Sequence, residues 1–275
     1  PDVFFLTTSQ FADAMEQSAA SLKGAGYTLA YNPPFTVWSR YEILYAELIP
    51  LGMSRPGGPT EIVPEGGPPA SSGTAASGKE GAGGGEAPSD GPRGLDSSIR
   101  GPARNWLFRW WNTTGRSLGF PRRRFPQGEL GYVMPVTLDT TAVLGRPITV
   151  WFIDLPSDPF VFRWEIARFA RARFDELTKE TNPRTGTALL PPPDLILGDT
   201  NIPRGSASLG LLTGPGFEHA FDQCGYGLAA TWPRALPLLH LDHTFVGAGL
   251  RARAYRLVDP PVSDHWMQVI DVEAR

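Results

Sequence analysis

From about residue 53 to residue 104 the chain runs through glycine, proline, serine and alanine with scattered charge, as in Gly83-Gly84-Gly85. Such a tract holds too little apolar surface to offset the entropy of ordering it. Any core must therefore be assembled from the two flanking stretches. The tract reads as a disordered insertion into one domain, because strand-like patterning resumes after it. It also explains why 31 glycines and 28 prolines dilute the apolar fraction to 41%.

The flanks carry ordinary folding signals. Val3-Phe4-Phe5-Leu6 is a short apolar strand, and a helix is expected over 11–23, with Phe11, Met15, Ala19 and Leu22 on one face. Strands follow at 27–30, 35–38 and 45–49. Beyond the insertion, strands are expected at 130–138, 148–155, 194–197, 239–246, 252–258 and 266–272, and helices at 160–179, 206–212 and 217–224. Strands dominate and many connections suit antiparallel pairing. The expected architecture is a single α/β domain spanning 1–275, with two mixed, mostly antiparallel sheets packed face to face and helices outside. The opening Pro1-Asp2-Val3 reads as a strand already under way, which suggests that a first strand lies upstream.

Bulk properties exclude little. A net charge of −3 makes no electrostatic case for nucleic acid. Cys224 is the only cysteine, so an internal disulfide and a cysteine-rich zinc site are both ruled out, and its apolar helical setting suggests core. No apolar run approaches the ~18 residues of a membrane span.

Three segments bring polar chemistry to strand ends. In Leu195-Ile196-Leu197-Gly198-Asp199-Thr200-Asn201 an apolar strand stops at glycine and presents a carboxylate, then a carboxamide two residues on. Leu241-Asp242-His243-Thr244-Phe245-Val246 opens an apolar strand with an acid and a histidine, and Val262-Ser263-Asp264-His265-Trp266 places another such pair before the last strand. Phosphodiester hydrolysis needs oxygen ligands for a divalent cation, an acid that orients or deprotonates water, and donors for developing charge. These residue types supply all three. Aspartate and asparagine after a strand also form turns and caps, so one segment alone decides nothing.

In combination and order the segments resemble the endonuclease/exonuclease/phosphatase superfamily, from about residue 146 to the C-terminus. Ala229-Ala230-Thr231-Trp232-Pro233 resembles its small bacterial branch. The resemblance implies a four-layer, deoxyribonuclease-like α/β sandwich and a Mg²⁺- or Mn²⁺-dependent phosphoester hydrolase. It implies that Asp199 orients or deprotonates the attacking water and that Asn201 binds phosphate. Asp264 would touch the metal or hold His265, Asp199 would assist the metal, and His265 would stabilise the pentacovalent phosphorus. Asp242 would orient a partner histidine or help the metal. Two positions depart from the pattern. Where the family strand that Pro1–Leu6 resembles ends in Gln-Glu this chain has Thr7-Thr8, and where the family has Thr-His-Leu-Pro-Ser it has Ile153-Asp154-Leu155-Pro156-Ser157. Thr8 cannot replace a carboxylate ligand, and Asp154 can act as an acidic ligand but not as an imidazolium donor. Two functions stay open: a phosphoester hydrolase with a weakened site, and a non-catalytic descendant that binds.

The substrate classes implied are nucleic acid, a phospholipid headgroup or a small phosphodiester. The aromatic and basic stretch 106–125, with Trp106, Trp110, Trp111 and Phe125, suits a membrane surface or nucleobase stacking, and equally a cover for a sheet edge. A monomer is expected, in a bacterial cytoplasm or at a membrane if upstream segments carry an anchor. His219 and His240 read as surface or packing residues, His243 as facing the next strand, and the arginines at 163, 168, 171 and 173 as a solvated helix face.

Overall fold

The computed structural model describes residues 1–7, 21–52, 130–158, 161–260 and 263–275. Most of the helix expected over 11–23, the insertion, the 106–125 stretch and Thr8 lie outside the described residues. Every described residue belongs to one compact unit, Pro1–Gly57 with Phe125–Arg275.

That unit contains twelve described strands. They are β1 (Val3–Thr7), β2 (Thr28–Asn32), β3 (Phe35–Ser39), β4 (Ile43–Ala46), β5 (Ile49–Pro50), β6 (Tyr132–Leu138), β7 (Ile148–Asp154), β8 (Leu195–Asp199), β9 (Phe217–His219), β10 (Asp242–Gly247), β11 (Leu250–Val258) and β12 (Met267–Ala274). The described helices are α1 (Thr141–Leu144), α2 (Arg163–Leu177), α3 (Ala207–Thr213) and α4 (Ala220–Cys224). None is long and apolar enough to cross a membrane.

A seven-stranded central sheet runs β4-β6-β7-β8-β10-β9, with β5 also on β6. Only β7 and β8 pair in parallel; every other pairing is antiparallel. A parallel pair needs a crossover, and α2 provides it. The sheet has two cores because successive strand residues face opposite ways. Val133, Trp151, Ile153, Ile196 and Phe245 point to one side, against Ile166, Ala170, Phe174 and Leu177 of α2 and Leu209 and Leu212 of α3. Met134, Val136, Val150, Phe152, Leu195 and Val246 point to the other. There they meet Phe35 and Val37 of the three-stranded sheet β1-β3-β2, and Leu250 and Ala252 of the β11-β12 hairpin, whose β12 adds Ile270 and Val272. The result is the α/β sandwich of packed, mostly antiparallel sheets that the sequence implies.

Element type or number differs most clearly in two of the expected segments. The single strand expected at 45–49 is two, β4 and β5, each pairing separately with β6. The helix expected at 217–224 begins as β9, because Phe217, Glu218 and His219 pair with β10 before α4 starts. Burial on the β10 edge outweighs the weak local preference of three residues.

Gly198 shows how tightly the centre is built. Its φ is +133°, and a Cβ there would lie 2.0 Å from the carbonyl oxygen of Ile153 on the neighbouring strand. Neither strand can yield without opening the β7–β8 ladder. Gly198→Ala is therefore expected to destabilise the fold by about 3 kcal/mol from strain and overpacking. A urea midpoint that does not move would refute this.

Candidate active site: a row of carboxylates at the strand ends

Strand register assembles the site. Going along the sheet, Val150, Leu195 and Val246 are cross-strand partners, and so are Phe152, Leu197 and Thr244. The next row is Asp154, Asp199 and Asp242. The three aspartates thus continue an apolar row that faces the inter-sheet core, at the point where the core gives way to the sheet's end. This is the C-terminal end of the parallel pair, where α/β sheets present their ligand sites.

The loop after β8 fixes the second member of that row. Asn201 adopts a left-handed backbone, φ +51°, and its N–H donates to Asp199 Oδ1 at 2.9 Å. Its side-chain Nδ2–H donates to the carbonyl of Leu155 at 2.8 Å. Leu155 N–H in turn donates to the carbonyl of Asp199 at 2.9 Å. Asp199 is therefore oriented through one oxygen, and its other oxygen has no hydrogen bond among the described residues.

His265 completes the cluster. Its Nδ1 lies 2.8 Å from Asp242 Oδ2. Asp199, Asp242 and His265 each offer a ligand atom within 4.8 Å of the others. Asp242 is braced from β12, where Gln268 Nε2–H donates to its carbonyl, and Gln268 Oε1 accepts from Thr244 Oγ1–H at 2.8 Å.

The electrostatics favour a cation. Burial, then the charge of Asp242, raises Asp199 to about 7, against the opposing N–H of Asn201 and charge of His265. Burial and Asp242 likewise raise Asp154 to about 6. For His265, burial opposes the charged ring, but the hydrogen bond to Asp242 and the charges of Asp242, Asp199 and Asp264 overcome it and lift the pKa to about 9. Arg163 is half-buried nearby, with its N–H groups held by the carbonyls of Pro156, Ser157 and Asp158. Asp199, Asp242 and His265 are the residues placed to hold a metal ion.

Of the residues singled out from sequence, Asp199, Asp242 and His265 come together, with Asp154 in register beside them and Asn201 holding Asp199. Asp264 stands apart: its side chain is exposed, and its carbonyl accepts from Arg234 N–H at 2.7 Å. The acid bonded to His265 is Asp242, on another strand, and not the adjacent Asp264. Thr8 is not described. The arginines of α2 are largely paired: Arg171 with Asp175 and the carbonyl of Thr213, and Arg173 with Glu176 and Glu180.

Sequence reasoning missed Gln268, and it did not foresee that three histidines pack against one another. His219, His240 and His243 are buried, and their ligand atoms also lie within 4.8 Å of one another. Hydrogen bonding argues against a metal there. Phe221 N–H donates to His219 Nδ1 at 3.1 Å, so the neutral ring carries its proton on Nε2. That proton is donated to His243 Nδ1 at 2.7 Å, and His243 Nε2–H donates to the carbonyl of Ile202 at 2.8 Å. Burial, reinforced by the neighbouring rings, holds all three near 4, so they are neutral. The trio ties α4 and β10 to the loop carrying Asn201. No local pattern among residues 219, 240 and 243 could have revealed it.

No family sequence model and no curated protein matches the chain. Solved structures do. The endonuclease/exonuclease/phosphatase from Bacteroides vulgatus aligns over 100% of this chain and 85% of its own, with TM-score 0.52 and 13% identity. D. rerio TDP2, complexed with single strand DNA product, aligns over 100% and 86%, with TM-score 0.50 and 12% identity. A mannosyl-6-phosphatase from Bacteroides thetaiotaomicron VPI-5482 aligns over 52% and 57%, with TM-score 0.39 and 17% identity, so the chain spans little more than half that protein's length. The protein has the endonuclease/exonuclease/phosphatase fold.

Proposed function

We propose that the protein is a divalent-metal-dependent phosphoester hydrolase, acting on a phosphodiester or phosphomonoester at the Asp154, Asp199, Asp242 and His265 cluster. The observation that carries this reading is the carboxylate row in register on three adjacent strands, with a charged histidine beside it. Asp199 and Asp242 supply carboxylate oxygens that would hold Mg²⁺ or Mn²⁺, with Asp154 in register beside them. The ion, when bound, offsets phosphate charge and polarises the phosphorus–oxygen bonds.

The chain's own residues do the rest. With one oxygen held by Asn201, Asp199 turns the other toward water, and a carboxylate near 7 suits proton acceptance at neutral pH. His265, with Nδ1–H on Asp242, keeps Nε2–H as a charged donor to a phosphoryl oxygen. Asn201 has a second amide N–H beyond the one given to Leu155, and this binds phosphate.

The test is turnover of bis-(p-nitrophenyl) phosphate. Hydrolysis is expected that chelation with EDTA abolishes and Mg²⁺ or Mn²⁺ restores. Turnover indifferent to chelation would sink the metal-dependent reading. No turnover, with no specific heat on calorimetric metal titration, would favour the descendant that binds without catalysis, for which Asp154 in place of the family's histidine is the motivating residue.

A further inference from the structure

The β8–β10 ladder ends where the site begins. Its last cross-strand pair is Asp199 with Asp242, so residues 200–204 run on beyond the ladder. Their backbone polar groups need other partners, and the start of β10 with the residues just before it supplies them. Thr200 N–H and Thr200 Oγ1–H both donate to the carbonyl of Leu241 at 3.1 Å, and Arg204 N–H donates to that of His240 at 3.1 Å. Ile202 N–H turns back to Thr200 Oγ1 at 3.1 Å. The Ile202 carbonyl is met by a side chain instead. His243 Nε2–H donates to it at 2.8 Å, while the Thr200 hydroxyl, already given to Leu241, lies 3.5 Å away.

Alternation along β10 explains why a histidine does this. Asp242 continues the carboxylate row, and the next residue points to the opposite face of the sheet. There the His243 ring is buried and held on three sides. The His240 ring stacks on it at 4.6 Å, the Phe245 ring at 5.7 Å, and the His219 ring meets it edge-on at 5.0 Å. Its tautomer is fixed as well: Nδ1 accepts the His219 proton, which leaves the ring's own proton on Nε2, toward Ile202. An immobile donor therefore ends on the residue that follows Asn201. The left-handed backbone of Asn201, φ +51°, persists only where its surroundings hold it.

We propose that His243 is a positioning residue for phosphate binding, holding through the Ile202 carbonyl the turn that aims the Asn201 amide. Asn201 is then pinned from two directions, by its own side chain on the Leu155 carbonyl and by the bond to the residue after it. Releasing the second leaves a buried carbonyl without a partner, which the loop relieves by shifting. The Asn201 N–H that orients Asp199 moves with it. Neighbouring residues of β10 thus serve one site from opposite faces of the sheet: Asp242 directly, His243 through the loop. The proposal rests on the reading of Asn201 as the phosphate-binding residue, and its test reads phosphate binding apart from turnover.

Two variants separate this bond from the rest of the histidine cluster. His243→Asn places an amide where Nδ1 stands, so its oxygen still accepts from His219 but nothing reaches Ile202. His243→Gln places an N–H donor where Nε2 stands and keeps the Ile202 bond. The full chain is titrated calorimetrically with inorganic phosphate in Mg²⁺ buffer. Binding is expected to be about 10-fold weaker in His243→Asn than in wild type, and within about threefold of wild type in His243→Gln. Both variants should show lower urea midpoints, so a role in stability alone predicts equal phosphate affinity per folded molecule in the two. That equality overturns the proposal, and so does a wild-type chain that binds no phosphate. If His243→Asn does not fold, folded His243→Gln decides: affinity within about threefold of wild type bears the proposal out, and a greater loss overturns it. Turnover of bis-(p-nitrophenyl) phosphate should follow the same order. Phosphate binding in this order by a chain without turnover would end the hydrolase reading and leave the role of His243 standing.

Discussion

Asp199→Asn should lower metal-dependent phosphodiester turnover by about 10³-fold, the scale of losing a positioned base together with a metal ligand. Asparagine is the informative replacement because its side-chain oxygen can still accept the Asn201 N–H that shapes the turn. A second result should accompany the first. Burial and the charge of Asp242 raise Asp199 to about 7 in the folded chain, against an ordinary carboxylate value near 3.8. Between those values the unfolded chain has released a proton that the folded chain retains, so this group makes the fold less stable as pH rises from about 4 to 7. Above 7 the full penalty is present. The neutral variant should therefore be more stable than wild type at pH 8 in metal-free buffer, seen as a higher urea midpoint. A turn-forming aspartate would behave oppositely, losing stability and leaving turnover alone. Equal turnover in the two proteins would end the enzyme reading.

The legibility of this site in sequence has a physical boundary. Asp199, Asp242 and His265 stand out because each interrupts an apolar run at a strand end, a change visible within six residues. Asn201 follows from the same turn. What joins them does not lie in any window. Asp154 looks like a substituted position until register places it opposite Asp199, and register is a property of two strands separated by the whole of α2. The partner of His265 is equally non-local: Asp264 is adjacent in sequence, but the chain turns its side chain outward and brings Asp242 in from β10. Gln268 gave no signal, since a lone glutamine in an amphipathic strand marks nothing until its neighbours across the sheet are known. The same holds for β9, whose three residues become a strand only because β10 offers an edge. The sandwich itself was legible, because alternation and long apolar runs report burial on one or two faces, and those faces settle which layers must pack.

The Asp242–His265 pair yields the other large effect, and it is read in a pH profile. Burial alone would push the His265 ring toward its neutral form; the hydrogen bond and charge of Asp242 reverse this and lift the pKa to about 9. A donor that must be charged gives full activity below that value and loses it as pH rises through it, so the wild-type alkaline limb belongs near pH 9. In Asp242→Asn the charge that held the imidazolium is gone while burial remains, and the limb should fall toward or below the ordinary histidine value of about 6.5. At pH 8.5 the ring would then be about 1% charged by that shift alone. Loss of the carboxylate that fixes its orientation brings the expected fall in turnover to about 10³-fold at this pH, with a smaller deficit at pH 6. A residue serving only to brace β10 would lower activity evenly across the profile. An alkaline limb that stays in place in the variant would mean that His265 does not work as a charged donor held by Asp242, and the assignment of the pair would have to be given up even if the metal site beside it stood.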